Sequence, residues 1–152
     1  MRMQRALNTE RGVATVELVI VLPVLLLLLV ATFEIGRALF QYNTLTKAVR
    51  DGARYIAAEA ITGTLGTVDL TAEILPTKNL VVYGNANGVG PSILPNLTVG
   101  DVTVTGGANQ TITVSVSYGY TPAVFSEIPN FGFGGGQDLE FTLTATTVMR
   151  AL

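Results

Sequence analysis

Thirteen consecutive residues, Val19–Ala31, carry no side-chain hydrogen-bonding group, and the longer stretch from Leu18 to Phe33 carries no charge. A free-standing membrane span needs about 20 such residues. Adding Val13–Val16 brings the run to length, but it admits the carboxylate of Glu17. From Glu34 onward the pattern changes. Ala38, Tyr42, Leu45, Val49, Ala53, Ile56 and Ala60 recur at spacings of three and four, with Glu34, Arg37, Gln41, Thr44, Lys47, Asp51 and Arg54 on the opposing face. That is the periodicity of a helix lying on an apolar partner. No proline interrupts Phe33–Ile61, so one helix is predicted from about Val13 to Ile61. Its first half, 13–33, is transmembrane; its second half, 34–61, is amphipathic and packs on a soluble domain built from 62–152. The small residues Ala48, Gly52 and Ala53 are expected to let a sheet approach that helix closely.

Beyond the helix, Thr62–Gly66 contains glycines suited to a left-handed cap. Leu70–Leu75 and Lys78–Tyr83 read as two short helical pieces, with Thr77 as N-cap of the second. Gly84–Gly100, rich in Gly, Asn and Pro, reads as a loop. Period-two alternation then takes over. Strands are expected near 101–105 and 110–119, joined by Gly106-Gly107-Ala108-Asn109 as a hairpin, and near 139–149. Val102, Val104, Ile112, Val114, Val116 and Tyr118 fall on one side, as do Leu139, Phe141, Leu143 and Ala145 of the third strand. One-sided strands of this kind make an antiparallel sheet with one solvated face. Val49, Ala53 and Ile56 are expected to be buried against Ile112, Val114 and Phe141. Pro122–Gln137 reads as an apolar turn ending in the glycine run Gly134–Gly136. The fold class is α+β, a long N-terminal helix packed on a small antiparallel sheet.

Composition narrows the chemistry. The chain has 152 residues, no cysteine, histidine or tryptophan, 13% charged residues and a net charge of −2. No disulfide or thiolate metal site can form, and no basic footprint for nucleic acid is present. A nucleophile would need Ser or Thr with a Lys or carboxylate base, yet Lys47 and Lys78 lie in helical stretches with nothing clustered beside them. Gly134–Gly136 with Asp138 and Glu140 lacks the Gly-Lys-Ser/Thr of a phosphate loop and the alternating carboxylates of a calcium loop, and so reads as a turn. Asn96-Leu-Thr98 and Asn109-Gln-Thr111 satisfy the glycosylation pattern by coincidence. No enzymatic activity, cofactor, metal or small-molecule substrate is expected.

Four features of the first third remain as candidates. Residues 1–12 hold Arg2, Arg5 and Arg11 ahead of the apolar run, which retains that end in the cytoplasm and sends the C-terminal domain across the membrane. Glu17 lies in the apolar zone, where an unpaired charge costs several kcal/mol, roughly 3 at a helix centre. Either it is paired or it reaches water at the interface. Pro23 removes one helical hydrogen bond and is either tolerated or a useful kink. Glu34 and Arg37, three residues apart, read as a solvated pair just outside the membrane. A secretory signal peptide competes with this picture, but Ala31-Thr32-Phe33 and Gly36-Arg37-Ala38 serve poorly as cleavage sites.

Several segments, in order, resemble one family. Glu10-Arg11-Gly12-Val13-Ala14-Thr15-Val16-Glu17-Leu18, then Val21-Leu22-Pro23-Val24-Leu25, Glu34-Ile35-Gly36-Arg37, Tyr42-Asn43 and Ala48–Tyr55 are similar to the TadE-like proteins, pilin-like minor components of bacterial tight-adherence (type IVb) pilus systems. The resemblance covers about residues 10–60; beyond it, Val82-Tyr83-Gly84 and Ala145–Arg150 are similar to later segments. It implies a pilin-like fold and a leader, 1–12, cut by a prepilin peptidase between Gly12 and Val13. It also implies that Glu17, fifth after the cut, neutralises the N-terminal amine of a neighbouring subunit. Leu18 departs from related pilins, in which an aromatic residue is frequent there. The implied partners are the membrane, the prepilin peptidase, other pilin-like subunits and the pilus assembly machinery. The implied location is the bacterial inner membrane, single pass, N-terminus cytoplasmic and C-terminal domain periplasmic. A permanently anchored periplasmic binding or scaffold module on a pilin-like stalk remains the alternative, and a secreted adhesin is a third.

Overall fold

The structure is a computed structural model that describes residues 2–60, 70–107, 110–124, 126–128 and 137–151, and of residues 2–11, 128 and 137 the backbone alone. In chain order it has helix α1 (Arg2–Glu59), helix α2 (Ile74–Tyr83), a 3-10 turn (Val99–Asp101) and strands β1 (Val102–Gly106), β2 (Thr111–Tyr120), β3 (Glu127–Ile128), β4 (Gln137–Asp138) and β5 (Phe141–Arg150). Two compact units result, Met1–Arg37 and Ala38–Leu152. The first is α1 alone. It begins at Arg2 rather than Val13, and it continues on both sides of Pro23. The glycines of Thr62–Gly66 lie outside the described residues.

The second unit is the α+β layout that the alternation predicts. β2 is central, with β1 and β5 antiparallel on either side. Val102 and Val104 stand opposite Val116 and Val114, and β2 pairs with β5 without a bulge from Thr111–Arg150 to Tyr120–Phe141. Because side chains alternate between faces, Ile112, Val114, Val116, Tyr118 and Ala145 share one side. There they form a single buried cluster with Leu45, Val49, Ala53 and Ile56 of α1, with Ala60 just past its end and with Val81 and Val82 of α2. Phe141 departs from expectation. It is 48% exposed, although its cross-strand partner Tyr120 is buried. Its ring instead lies against that of Tyr120, centroids 4.9 Å apart and tilted by 30°.

The stripe of α1 is also rotated at its start. Gln41 is buried and Tyr42 exposed, the reverse of the alternation read from sequence. The burying positions run Gln41, Leu45, Val49, Ala53, so the stripe opens on a polar residue that hydropathy places outside. The small residues have a different partner as well. A Cβ on Gly52 would sit 2.6 Å from Val81 Cγ2 and 3.5 Å from Thr77 Cγ2. Helix α2, and not the sheet, makes the close approach at Gly52.

One helix replaces the two short pieces expected around Pro76. Proline falls in the first turn of α2, where backbone N–H groups have no partner within the helix in any case. Thr77 is therefore inside the helix, fully buried, and its hydroxyl donates to the Glu73 carbonyl at 2.6 Å instead of capping. Gly84 closes α2 in the left-handed region (φ 72°), its N–H donating to Leu80 O. The following loop is held by its own amides. Asn85 Nδ2 donates to Val89 O and its Oδ1 accepts from Val89 N–H, while Asn79 Nδ2 donates to Ala86 O. Asp101 accepts from both the N–H and the hydroxyl of Thr98, and Tyr118 donates to Pro95 O. Pro122–Gln137 contains more than a turn, since β3 and β4 pair antiparallel as a separate two-stranded sheet, Glu127 opposite Asp138. Gly134–Gly136 lie outside the described residues.

Two substitutions test this packing. Gly52→Ala gains up to about 1 kcal/mol of helix propensity but forces a methyl into a stiff, fully buried valine, an overpacking cost of about 1–3 kcal/mol. Denaturant melting of the chain in detergent should show net loss, partly recovered in Gly52→Ala with Val81→Ala. The second concerns the tie between α1 and α2, where Tyr55 Oη donates to Glu73 Oε2 at 2.8 Å. That bond first, and burial second, hold the phenol pKa above its ordinary 10.0. The bond's contribution is thus full below pH 10 and is lost as pH rises through the folded value. Tyr55→Phe should cost about 0.5–1.5 kcal/mol at neutral pH, and the difference from wild type should shrink in melts at strongly alkaline pH.

Candidate assembly segment

All the candidate residues lie on α1, whose backbone satisfies its own hydrogen bonds and so suits a medium without water. Within it, Gly12–Glu59 is long and apolar enough to cross a membrane, and its most apolar window is wholly unburied. Val13, Val16, Leu18, Val19, Ile20 and Val21 are all exposed, as are most of the large apolar side chains that follow as far as Phe33. A helix apolar on every side is one that belongs in lipid or in a bundle.

Gly12, Val13 and Glu17 fall on this exposed surface. A side chain at Gly12 would meet nothing within 4 Å. Among the described residues, then, packing makes no demand for a glycine there. Glu17 has no hydrogen-bond or ion-pair partner among the described residues. It lies four residues after Val13, one helical turn along the same face.

Glu34 and Arg37 do come together, Oε2 to Nη1 at 3.9 Å, with side chains 12% and 30% exposed. A solvated surface pair would be more open than this. Glu34 is largely withdrawn from solvent, which reduces screening and makes the paired cation matter more. One turn on, Gln41 is buried, and its Oε1 has no partner among the described residues. The sequence reading missed Gln41. The available signal was its spacing of four from Leu45 and of eight from Val49, which a polar residue type overrode.

The segment offers no catalytic constellation. Among the described residues, no three His, Cys, Asp or Glu side chains are grouped to hold a metal ion. Its chemistry is that of an apolar surface with one isolated carboxylate and one internal ion pair.

The family model described as TadE-like protein matches residues 12–54. That match begins at Gly12 and takes in Val13, Glu17, Pro23, Glu34 and Arg37, while the whole β-sheet lies outside it. No curated protein and no solved structure matches the chain.

Proposed function

We propose that the chain is a minor pilin-like subunit of a tight-adherence (type IVb) pilus system, which primes, caps or links the pilus and carries out no catalysis of its own. The observation that carries this reading is the TadE-like match over residues 12–54, which coincides with the exposed apolar part of α1. In this reading a prepilin peptidase removes 1–12 after Gly12, and the chain is held in the bacterial inner membrane by α1. Glu17 then neutralises the amine of a neighbouring subunit's first residue. Burying a carboxylate and an ammonium is tolerable where they meet, and strongly unfavourable where either is left alone.

Orientation follows from Arg2, Arg5 and Arg11 before the span against Arg37 alone close after it. Alkaline phosphatase fused after Leu152 should be active in cells. An inactive fusion expressed at normal level would reverse the topology.

Processing and assembly separate by substitution. Gly12→Val should leave a full-length chain in membranes, measured by intact mass. Glu17→Gln removes the charge and keeps the shape, and a neutral amide is cheaper in lipid than a carboxylate. That variant should be cleaved, inserted and stable, yet support few or no pili. A full complement of pili at wild-type protein level would discard the pairing role. An unprocessed but functional wild-type chain would instead favour a permanently anchored periplasmic module.

A further inference from the structure

The uncharged stretch Leu18–Phe33 measures roughly 24 Å at ~1.5 Å per residue, short of the ~30 Å hydrocarbon core. The structure shows how the helix continues in a form that a bilayer can accept. Past Phe33 the large apolar side chains Ile35, Leu39, Phe40 and Tyr42 remain exposed, Phe40 at 70%. The two charges in that stretch, Glu34 and Arg37, are paired with each other and mostly withdrawn. The hydroxyls of Thr32, Thr44 and Thr46 donate to the carbonyls of Leu28, Phe40 and Tyr42, 2.8–3.0 Å away, and need no water. Gln41 is buried. The first exposed charge after Glu17 is Lys47.

The helical stretch Leu18–Thr46 therefore carries no exposed unpaired charge, and 29 helical residues rise roughly 43 Å at ~1.5 Å each. A bilayer with its headgroup layers is ~40–45 Å thick. Its outer end carries Phe40, Tyr42 and Asn43, an aromatic and polar group of the sort that settles at the membrane–water interface.

We propose that the lipid-contacting part of α1 runs to Tyr42, with Phe40 and Tyr42 anchored in the outer headgroup layer and the Glu34–Arg37 pair inside the boundary as a neutralised unit. This rests on the membrane-anchored reading above and extends it by two to three helical turns beyond Phe33. The amphipathic, fully aqueous part of the helix starts at Lys47, not at Glu34.

The chain has no tryptophan, so single Trp probes report without background. Full-length Leu26→Trp, Phe40→Trp and Val89→Trp chains are reconstituted in phosphatidylcholine–phosphatidylglycerol vesicles carrying lipid brominated either deep in the chain or near the headgroup. All three sites are exposed, so folding is not at stake. Leu26→Trp should be quenched more by the deep bromines and Phe40→Trp more by the shallow ones. Val89→Trp should respond to aqueous acrylamide alone. If Leu26→Trp is untouched by bromolipid, the membrane reading itself fails. If Leu26→Trp is quenched but Phe40→Trp behaves like Val89→Trp, the boundary lies before Phe40 and the extension is wrong. A Phe40→Trp chain shielded from bromine and acrylamide alike means that protein, such as a second copy, covers the site, which also overturns the proposal.

Discussion

The backbone hydrogen bonds of α1 are the constraint on which the rest depends. Every peptide group that enters lipid must be satisfied within its own segment, because nothing in hydrocarbon can replace water. A continuous helix meets that demand and leaves the side chains free to choose the environment. From Leu18 to Phe33 they are uncharged and, but for Thr32, apolar all round. From Leu45 onward they are apolar along one stripe only, and the buried stripe joins the sheet's inner face in one cluster. The same helix thus has one stretch long and apolar enough to cross a membrane and a next one that forms part of a hydrophobic core. Between the two stretches Glu34 pairs with Arg37, the hydroxyls of Thr32, Thr44 and Thr46 bond back to their own helix, Gln41 is buried and Asn43 stays exposed.

In the second unit the decisive contact is the approach of α2 at Gly52. With no side chain there, Val81 and Thr77 reach the surface of α1 directly, and Tyr55 and Glu73 fasten the same two helices by a hydrogen bond. Both Thr77 and Val81 are fully buried. Thr77 tolerates burial because its hydroxyl is spent on the Glu73 carbonyl one turn back. The arrangement leaves little room for volume change, since interiors at crystal-like density transmit even a methyl group to their neighbours.

Much of this was legible in the sequence because it rests on period alone. Val102 and Val104 against Ile112, Val114 and Val116 announce a hairpin with one apolar face, and Leu45, Val49, Ala53 and Ile56 announce a helix face; both hold in the structure. The misses share a cause, which is that they depend on what a residue meets and not on what it is. Gln41 is polar by type but occupies a core position by spacing. Phe141 is apolar by type but lies half-exposed against the ring of the buried Tyr120. Gly52 was correctly read as a place of close approach, while its partner, α2, lies some thirty residues away in sequence and no local pattern names it. Pro76 looked like a break between two helices, yet the first turn of a helix has no use for the N–H that proline lacks. In the candidate segment, the exposure of α1 followed from hydropathy, whereas the withdrawal of Glu34 from solvent is a property of the folded chain.

Where the lipid boundary lies also changes what Glu17 must do. With the outer edge at Phe33, Glu17 stands inside the hydrocarbon and its charge is costly without a partner. With the outer edge near Tyr42, the same span length moves Glu17 toward the inner interface, where water and headgroups lower that cost. In the proposed reading, pairing and interfacial placement are then compatible, since an amine at Val13 would lie one turn before Glu17 on the same helix. What distinguishes them is how much is lost when the charge is removed. A carboxylate at a wet interface contributes about 0–1 kcal/mol to any single ion pair, too little to govern assembly. A carboxylate enclosed between helices governs it, because removing one partner leaves a buried charge uncompensated at about 3–5 kcal/mol. A strong dependence of assembly on the Glu17 charge would therefore require enclosure by neighbouring subunits even at the membrane edge.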